Sequence, residues 1–344
     1  MIRGARSGIV AFAVATCLLA ANFVASARMT DGPLPLPVFD PDGVFSTLAH
    51  PAATAADRGA GIRTSAADIS RDGRPDLLTV HGTSTDLTAH LGAGTGAFTT
   101  SVKVGTRPTT RTWIGQGDVD GDGDPDIASI DSGGSLSFAL HTGTFAGQST
   151  YSPETVFTTG WAAAQIPTFV DFFGRDDSQR WVLDGLADLI FRFSGDNSMY
   201  LYRNQGPVNG RPTFSNLGTL FGNTQAVTGL ALADLTGDDF PDFYMTFTDG
   251  SARIFDMFAE MDSNGAYYGK WYVLQTSGAD ATERRLLLDA TGDGWADLVI
   301  RLANGNLVVR PHPRDWDPAH PSRLFDSSKQ ITLGTGWGQY RLMA

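Results

Sequence analysis

Asp118-Val119-Asp120-Gly121-Asp122-Gly123-Asp124-Pro125-Asp126 sets a carboxylate at every second position of a nine-residue loop. Side-chain oxygens at positions 1, 3, 5 and 9, with the carbonyl of position 7 and a water, supply six or seven donors. That is the coordination number of calcium, whereas magnesium tolerates so flexible an all-protein cage poorly. Position 6, Gly123, is where the chain must turn sharply. A strand-like run, Ile127-Ala128-Ser129-Ile130, follows at once. An EF-hand opens the same way but requires a glutamate at position 12 and a helix beyond it. Position 12 here is Ser129, inside the strand-like run, so an EF-hand is excluded.

The pattern recurs from Asp68, Asp234 and Asp289, and in distorted form from Asp171, at intervals of 50 to 63 residues. The candidate metal ligands are therefore Asp68, Ser70, Asp72 and Asp76; Asp118, Asp120, Asp122 and Asp126; Asp171, Asp184 and Asp188; Asp234, Thr236, Asp238 and Asp242; and Asp289, Thr291, Asp293 and Asp297. They are unequal. The Asp118 loop is the strongest, with the Asp289 loop close behind. Ser70 is a weaker ligand than aspartate, and Asp239 stands where glycine belongs, a position aspartate tolerates at some cost. In the third copy an insertion through Arg175, Asp176 and Asp177 separates Asp171 from Asp184, so a rearranged or empty site is expected there.

A period of this size marks an array of supersecondary units. Each loop leads into an apolar strand-like run, then a turn such as Gly133-Gly134, Asp249-Gly250 or Asn304-Gly305, then a third and a looser fourth strand. No segment carries a capped 3.6-residue apolar period, so very little helix is expected. The fold predicted is all-β, a β-propeller of four-stranded antiparallel blades. Five repeats are clear, and the blade count lies between five and seven. Residues 39–48 read as an outer strand without a blade. Gly336-Trp337-Gly338-Gln339-Tyr340-Arg341-Leu342 reads as a strand that leads into a loop, yet no loop follows. Such orphan ends fit a ring closed by strands from both termini.

The first 27 residues read as a secretory signal: Arg3 and Arg6, an apolar run from Ile9 to Ala21, and the small-residue site Ala25-Ser26-Ala27, with cleavage expected near Ala27–Arg28. Residues 28–38 form a proline-rich linker and residues 39–344 the propeller. Cys17, the single cysteine, leaves with the signal, so no disulfide restrains a chain bound for an oxidising exterior. The formal net charge is −12, and all but three of the 37 acidic residues are aspartate. With 40 glycines and 17 prolines, that acidity belongs to turns and cation ligands rather than to solvated helices. Nucleic acid and anionic membrane are poor partners for it, and no membrane span is expected in the mature chain.

Loops of this spacing, each followed directly by a strand, resemble the FG-GAP and VCBS-type repeats of the integrin α-subunit β-propeller over roughly residues 60–335. The eponymous elements are only hinted at, as in Gly94-Thr95-Gly96-Ala97-Phe98. The resemblance implies a propeller with structural calcium in the loop between the first two strands of a blade. It also implies a place among adhesion, recognition or accessory modules, some of which ride on secreted hydrolases or lyases.

The expectation is a secreted, calcium-binding, non-catalytic recognition or adhesion module for an extracellular glycan or protein. The alternative is a secreted carbohydrate-active enzyme, a polysaccharide lyase or glycoside hydrolase, on the same scaffold. No Gly-x-Ser-x-Gly elbow or His-Glu-x-x-His pair occurs, and most aspartates are already spoken for as cation ligands. Trp113, Trp161 and Trp337 recur at repeat starts, and Trp181, Trp271, Trp295 and Trp316 add aromatic area. The three in phase are expected to wedge between blades rather than to stack on sugars.

Overall fold

The computed structural model describes residues 38–39, 67–172, 174–175, 181–261 and 267–344. The expected signal segment, nearly all of the linker and most of the 39–48 strand lie outside the described residues.

The described chain forms a five-blade β-propeller of four-stranded antiparallel sheets. Strands a to d run from the centre of the ring outward. Blade 2 is Arg111–Gly117, Asp126–Asp131, Leu136–Ala139 and Thr155–Thr158. Blade 3 is Ala164–Val170, Asp188–Phe193, Ser198–Val208 and Arg211–Gly222. Blade 4 is Val227–Ala233, Asp242–Phe247, Ala252–Met261 and Tyr267–Gln275, and blade 5 is Arg284–Leu288, Asp297–Arg301, Leu307–Arg310 and Ile331–Gly334. Blade 1 takes strands b to d from Leu77–His81, Asp86–Gly92 and Phe98–Thr106, but its strand a is the carboxy-terminal Tyr340–Met343.

The lead-in strand that had no loop after it thus serves the first loop, from the far end of the chain. Ala344 and Leu78 exchange backbone hydrogen bonds of 2.9 and 2.8 Å. The amino-terminal strand instead widens blade 3, where Val38–Phe39 pairs antiparallel with Gly222 and Phe221.

The b strands are apolar on both faces because each lies inside its sheet with packed neighbours. Asp242–Phe247 is buried throughout. Between blades, the aliphatic faces of blades 1 and 2 meet through Leu78, Leu87, Ile114 and Ile127. The junction of blades 3 and 4 is aromatic: Phe221 packs edge-on against Phe243 and Phe255, with centroids 4.9 and 5.3 Å apart. Each fully buried ring contributes roughly 1.5–3 kcal/mol relative to exposure.

The tryptophans wedge as expected. Trp113 of blade 2 stacks on Phe169 of blade 3, Trp161 packs on Phe191 and Tyr202, and Trp337 packs on His90 and Tyr340. The side chain of Trp181 lies outside the described residues.

Opposite the acidic loops, the b–c hairpin of every blade is tied by a backbone bond to the connector that leads to the next blade. The carbonyls of Thr85, Gly134, Asn197, Gly250 and Gly305, in the b–c hairpins, accept from the N–H groups of Arg107, Trp161, Thr224, Ala279 and Trp337 at 2.8–3.0 Å. All five acceptor residues have positive φ, from 57° to 81°. At Gly134 a Cβ would also lie 2.4 Å from the Ala162 nitrogen, so only glycine fits.

Candidate metal centres

All five acidic loops fold on one plan of carboxylate and backbone N–H. Position 1 takes N–H groups on both oxygens. In loop 1, Asp68 accepts from Asp72 at 3.0 Å and Gly73 at 2.8 Å. In loop 2, Asp118 accepts from Gly121 at 2.6 Å and Gly123 at 2.8 Å. Asp234 and Asp289 do the same in loops 4 and 5. Position 5 accepts from position 7, as Asp122 does from Asp124 at 2.9 Å. Such bonds pull the backbone into a turn around the position-1 carboxylate.

Positions 4 and 6 both adopt the left-handed conformation, with φ of 82° and 86° at Gly121 and Gly123. Asp239 occupies this conformation at position 6 of loop 4, φ 69°. Sequence reasoning identified position 6 but passed over position 4, although Gly121, Gly237 and Gly292 recur there.

Position 9 is a buried pin. Asp126 accepts from Val119 N–H at 3.0 Å on one oxygen and from His141 N–H at 2.7 Å on the other. It thereby ties loop 2 to the end of its own c strand. Asp76, Asp188 and Asp297 repeat the arrangement with Gly92, Asn204 and His312.

Position 2 carries a role that the ligand pattern could not reveal. Ile69, Val119, Phe172, Leu235 and Ala290 are all buried. Four of their carbonyls are captured by the next blade around the ring: Ile69 by His141 Nε2 at 3.2 Å, Val119 by Asn204 Nδ2 at 2.9 Å, Leu235 by His312 Nε2 at 3.1 Å and Ala290 by Gly96 N–H at 2.8 Å. The buried apolar residue at each second position was the available signal.

The third loop keeps the plan despite its insertion. Gly174–Arg175 and Trp181–Val182 pair as a small hairpin that brings Asp184 back to position 5. Asp171 accepts from Gly185 at 2.8 Å and Asp184 at 3.3 Å, and Asp188 accepts from Phe172 at 3.2 Å. Residues 176–180 lie outside the described residues. At position 3 the sequence offers Phe173, which has no side-chain oxygen.

The loops also differ in charge. Asp184 meets Arg203 at 3.4 Å, Asp293 meets Arg314 at 2.7 Å, and Asp124 meets Arg71 of the preceding loop at 3.0 Å. Elsewhere carboxylates crowd together. Burial pushes the Asp126 carboxyl up to about 8, Asp171 to about 7, and Asp76 and Asp297 to about 6. Asp118, Asp120 and Asp234 are also raised, chiefly by burial. In loop 4, Asp238 and Asp242 are raised by burial and then by neighbouring carboxylates, including Asp256 of strand c. Desolvated acids of this kind are neutralised by a proton or by a compensating cation.

The donor set fits a hard divalent cation such as calcium. Asp118, Asp120 and Asp126 bring one carboxylate oxygen each within 4.8 Å of one another. The Thr236 hydroxyl, position 3 of loop 4, is buried without a hydrogen-bond partner. The Thr291 hydroxyl of loop 5 makes no hydrogen bond of good geometry either, although it lies close enough to Asp297 to favour the charged carboxylate. Ser70 sits 3.5 Å from Asp68.

A channel of about 1080 Å³ runs through the ring, lined by the a strands and meeting Asp118, Asp171 and Asp234 at the loop end. A smaller groove of about 380 Å³ lies between blades 2 and 3, walled by Phe157, Trp161, Phe191, Phe193, Tyr202 and Phe214. Among the described residues no helix is long and apolar enough to cross a membrane.

Comparison with curated proteins gave no match. The family described as FG-GAP-like repeat matches residues 68–129 and 183–245, segments that begin at the loop of blade 1 and within the loop of blade 3. With these matched repeats, and five four-stranded blades each opening on the same acidic loop, the chain is an FG-GAP repeat β-propeller protein.

Proposed function

We propose that this protein is an exported, calcium-binding, non-catalytic recognition module that presents a glycan or protein ligand on a rigid five-blade ring. The observation that carries the reading is the loop end of the ring. There, carboxylates at fixed positions are pre-oriented by backbone N–H groups, desolvated, and accompanied at Thr236 by a buried hydroxyl without a partner. Calcium in these loops would neutralise the charge and accept the hydroxyl oxygen. The ions are structural in this reading, and the protein's own residues supply the recognition surface.

With a site affinity of order 10⁻⁴ M and roughly 2 mM external calcium, each filled site adds about 1.8 kcal/mol. The signal-like residues 1–27 support export to a compartment with that much calcium. For the ligand, the groove between blades 2 and 3 offers a wall of aromatic rings, with Phe193 39% exposed at its edge. The C–H faces of sugar rings pack well on such surfaces.

The test is metal analysis and thermal unfolding of the protein with calcium and with chelator, followed by a glycan array and a polysaccharide activity screen. Several bound ions and a large chelator-induced drop in melting temperature are expected. A metal-free protein with an unchanged melt would sink the calcium reading. Glycan binding lost in Phe193→Ala would fix the ligand surface, whereas turnover of a polysaccharide would replace the recognition reading with the carbohydrate-active one.

A further inference from the structure

Continuing each b–c ladder by one residue sets a different side chain opposite the buried position-9 aspartate of every blade. It is Leu91 in blade 1, Leu140 in blade 2, Arg203 in blade 3, Asp256 in blade 4 and Pro311 in blade 5. Residues directly opposite on an antiparallel pair share a face, with Cβ atoms about 5 Å apart. In blades 3 and 4 this position interacts with the acidic loop of its own blade, whereas Leu91 and Leu140 pack against the apolar clusters between blades. Three blades fill it with an uncharged residue, one with a cation and one with an anion.

In blade 3 the guanidinium of Arg203 reaches Asp184 Oδ2, at position 5 of the loop. Position 3 of that loop is Phe173, without a ligand oxygen. Blade 4 reverses the charge. Asp256 is 5% exposed, and one of its oxygens accepts from Phe258 N–H at 2.9 Å. Its charge acts on Asp238 and Asp242 and is itself opposed by that of Asp234, at a loop that also carries Asp239. Lys270, across the ladder on the other side of Asp256, is exposed; its ammonium lies 5.6 Å from the Tyr272 ring centre, and its charge only partly offsets the burial that raises the Asp256 carboxyl. The buried hydroxyl of Thr236 in this loop has no hydrogen-bond partner. A fourth carboxylate and an unused hydroxyl at one site are what a divalent ion with oxygen ligands takes up.

We propose that Asp256 is a further cation ligand, outside the repeat motif, that makes the loop of blade 4 the tightest calcium site in the ring, and that Arg203 stands in for the ion in blade 3. The proposal rests on the calcium reading above and deepens it. The geometry makes the two blades versions of one site with opposite solutions: a mobile cation in blade 4 and a covalently attached one in blade 3.

The test uses the full chain, stripped of metal and titrated with calcium by calorimetry, and separately with terbium by luminescence. Trp295 packs against Gly237 of loop 4, so its indole provides an antenna for terbium there. Asp256→Asn, which keeps the shape of a protonated carboxyl, is expected to weaken the tightest site at least 10-fold and leave the others unchanged. Asp256→Arg is expected to remove that ion altogether and to shrink the drop in melting temperature caused by chelator, because the arginine now supplies the charge. Arg203→Leu should leave the number of bound ions unchanged. If the wild type binds calcium and both Asp256 variants match it in ion number, affinity and chelator response, the inference fails while the calcium reading stands. If the wild type binds no calcium, both fall. Loss of folding in Asp256→Asn would leave Asp256→Arg, with or without chelator, to decide.

Discussion

The two ends of the ring are both held by captured backbone carbonyls, at different risk. At the hairpin end, five backbone carbonyls accept five backbone N–H groups, and positive-φ residues aim them. At the loop end, the captured carbonyls belong to the second residue of four of the five acidic loops, and carboxylates hold those loops in shape. Neutral hydrogen bonds work at any ionic composition. Buried carboxylates that repel one another do not, unless a cation sits among them. Calcium dependence is thus expected to be lopsided, loosening the loop end and sparing the hairpin end.

Removing calcium should give the largest effect. If three sites fill, about 5 kcal/mol is lost on chelation. Hydrogen exchange should rise in residues 68–76, 118–126, 234–242 and 289–297 and stay unchanged at the N–H donors Arg107, Trp161, Thr224, Ala279 and Trp337. Equal exchange at both ends would remove the distinction. Next comes Asp126→Ala, which strands the N–H groups of Val119 and His141 in a fully buried corner. A loss of about 3 kcal/mol or more is expected in denaturant titration, with or without calcium.

A pH effect separates ring closure from both ends. His90, on strand c of blade 1, hydrogen-bonds Thr79 and Ser101 at 2.8 Å and packs against Trp337 and Tyr340. Burial lowers its pKa to about 4, from 6.5. Its contribution is fully present above pH 6.5 and is lost as the pH falls toward 4, about 3 kcal/mol in all. The raised carboxylates of the loops act in the opposite direction when metal is absent. The comparison is therefore His90→Gln against wild type in saturating calcium, and parallel stability curves between pH 6.5 and 4 would contradict the assignment.

Gly134→Ala should have the smallest effect. Forcing a side chain into left-handed backbone costs about 1–2 kcal/mol, with a further cost for the contact with Ala162. The loss should be the same in calcium and in chelator. Calcium-dependent damage would show that the hairpin end is coupled to the loops after all.

The loops and the blades were legible in the sequence because aspartate and glycine had to recur at fixed positions just before an apolar run. Blade number was not, because Tyr340–Met343 and Leu77–His81 become neighbours only once the ring closes. The plan of the third loop was obscured by the inserted hairpin, which restores Asp184 to its place through space rather than along the chain. Arg203 and Asp256 were invisible for a related reason. Each faces its loop through strand register, and a residue fourteen or fifteen positions past a motif carries no mark of it. His141, Asn204 and His312 likewise serve a loop one blade away.

Closure by Tyr340–Met343 has a consequence for synthesis. Blade 1 is translated first among the blades, yet its innermost strand emerges after all the others. Until then Leu77–His81 presents an open edge at the centre of an incomplete ring, and open strand edges pair readily with other chains. A chain stalled before Tyr340 would hold a nearly finished propeller with a gap beside Leu78. The period between translation of blade 5 and docking of the last strand is when nascent chains of this protein are most exposed to swapping strands with one another.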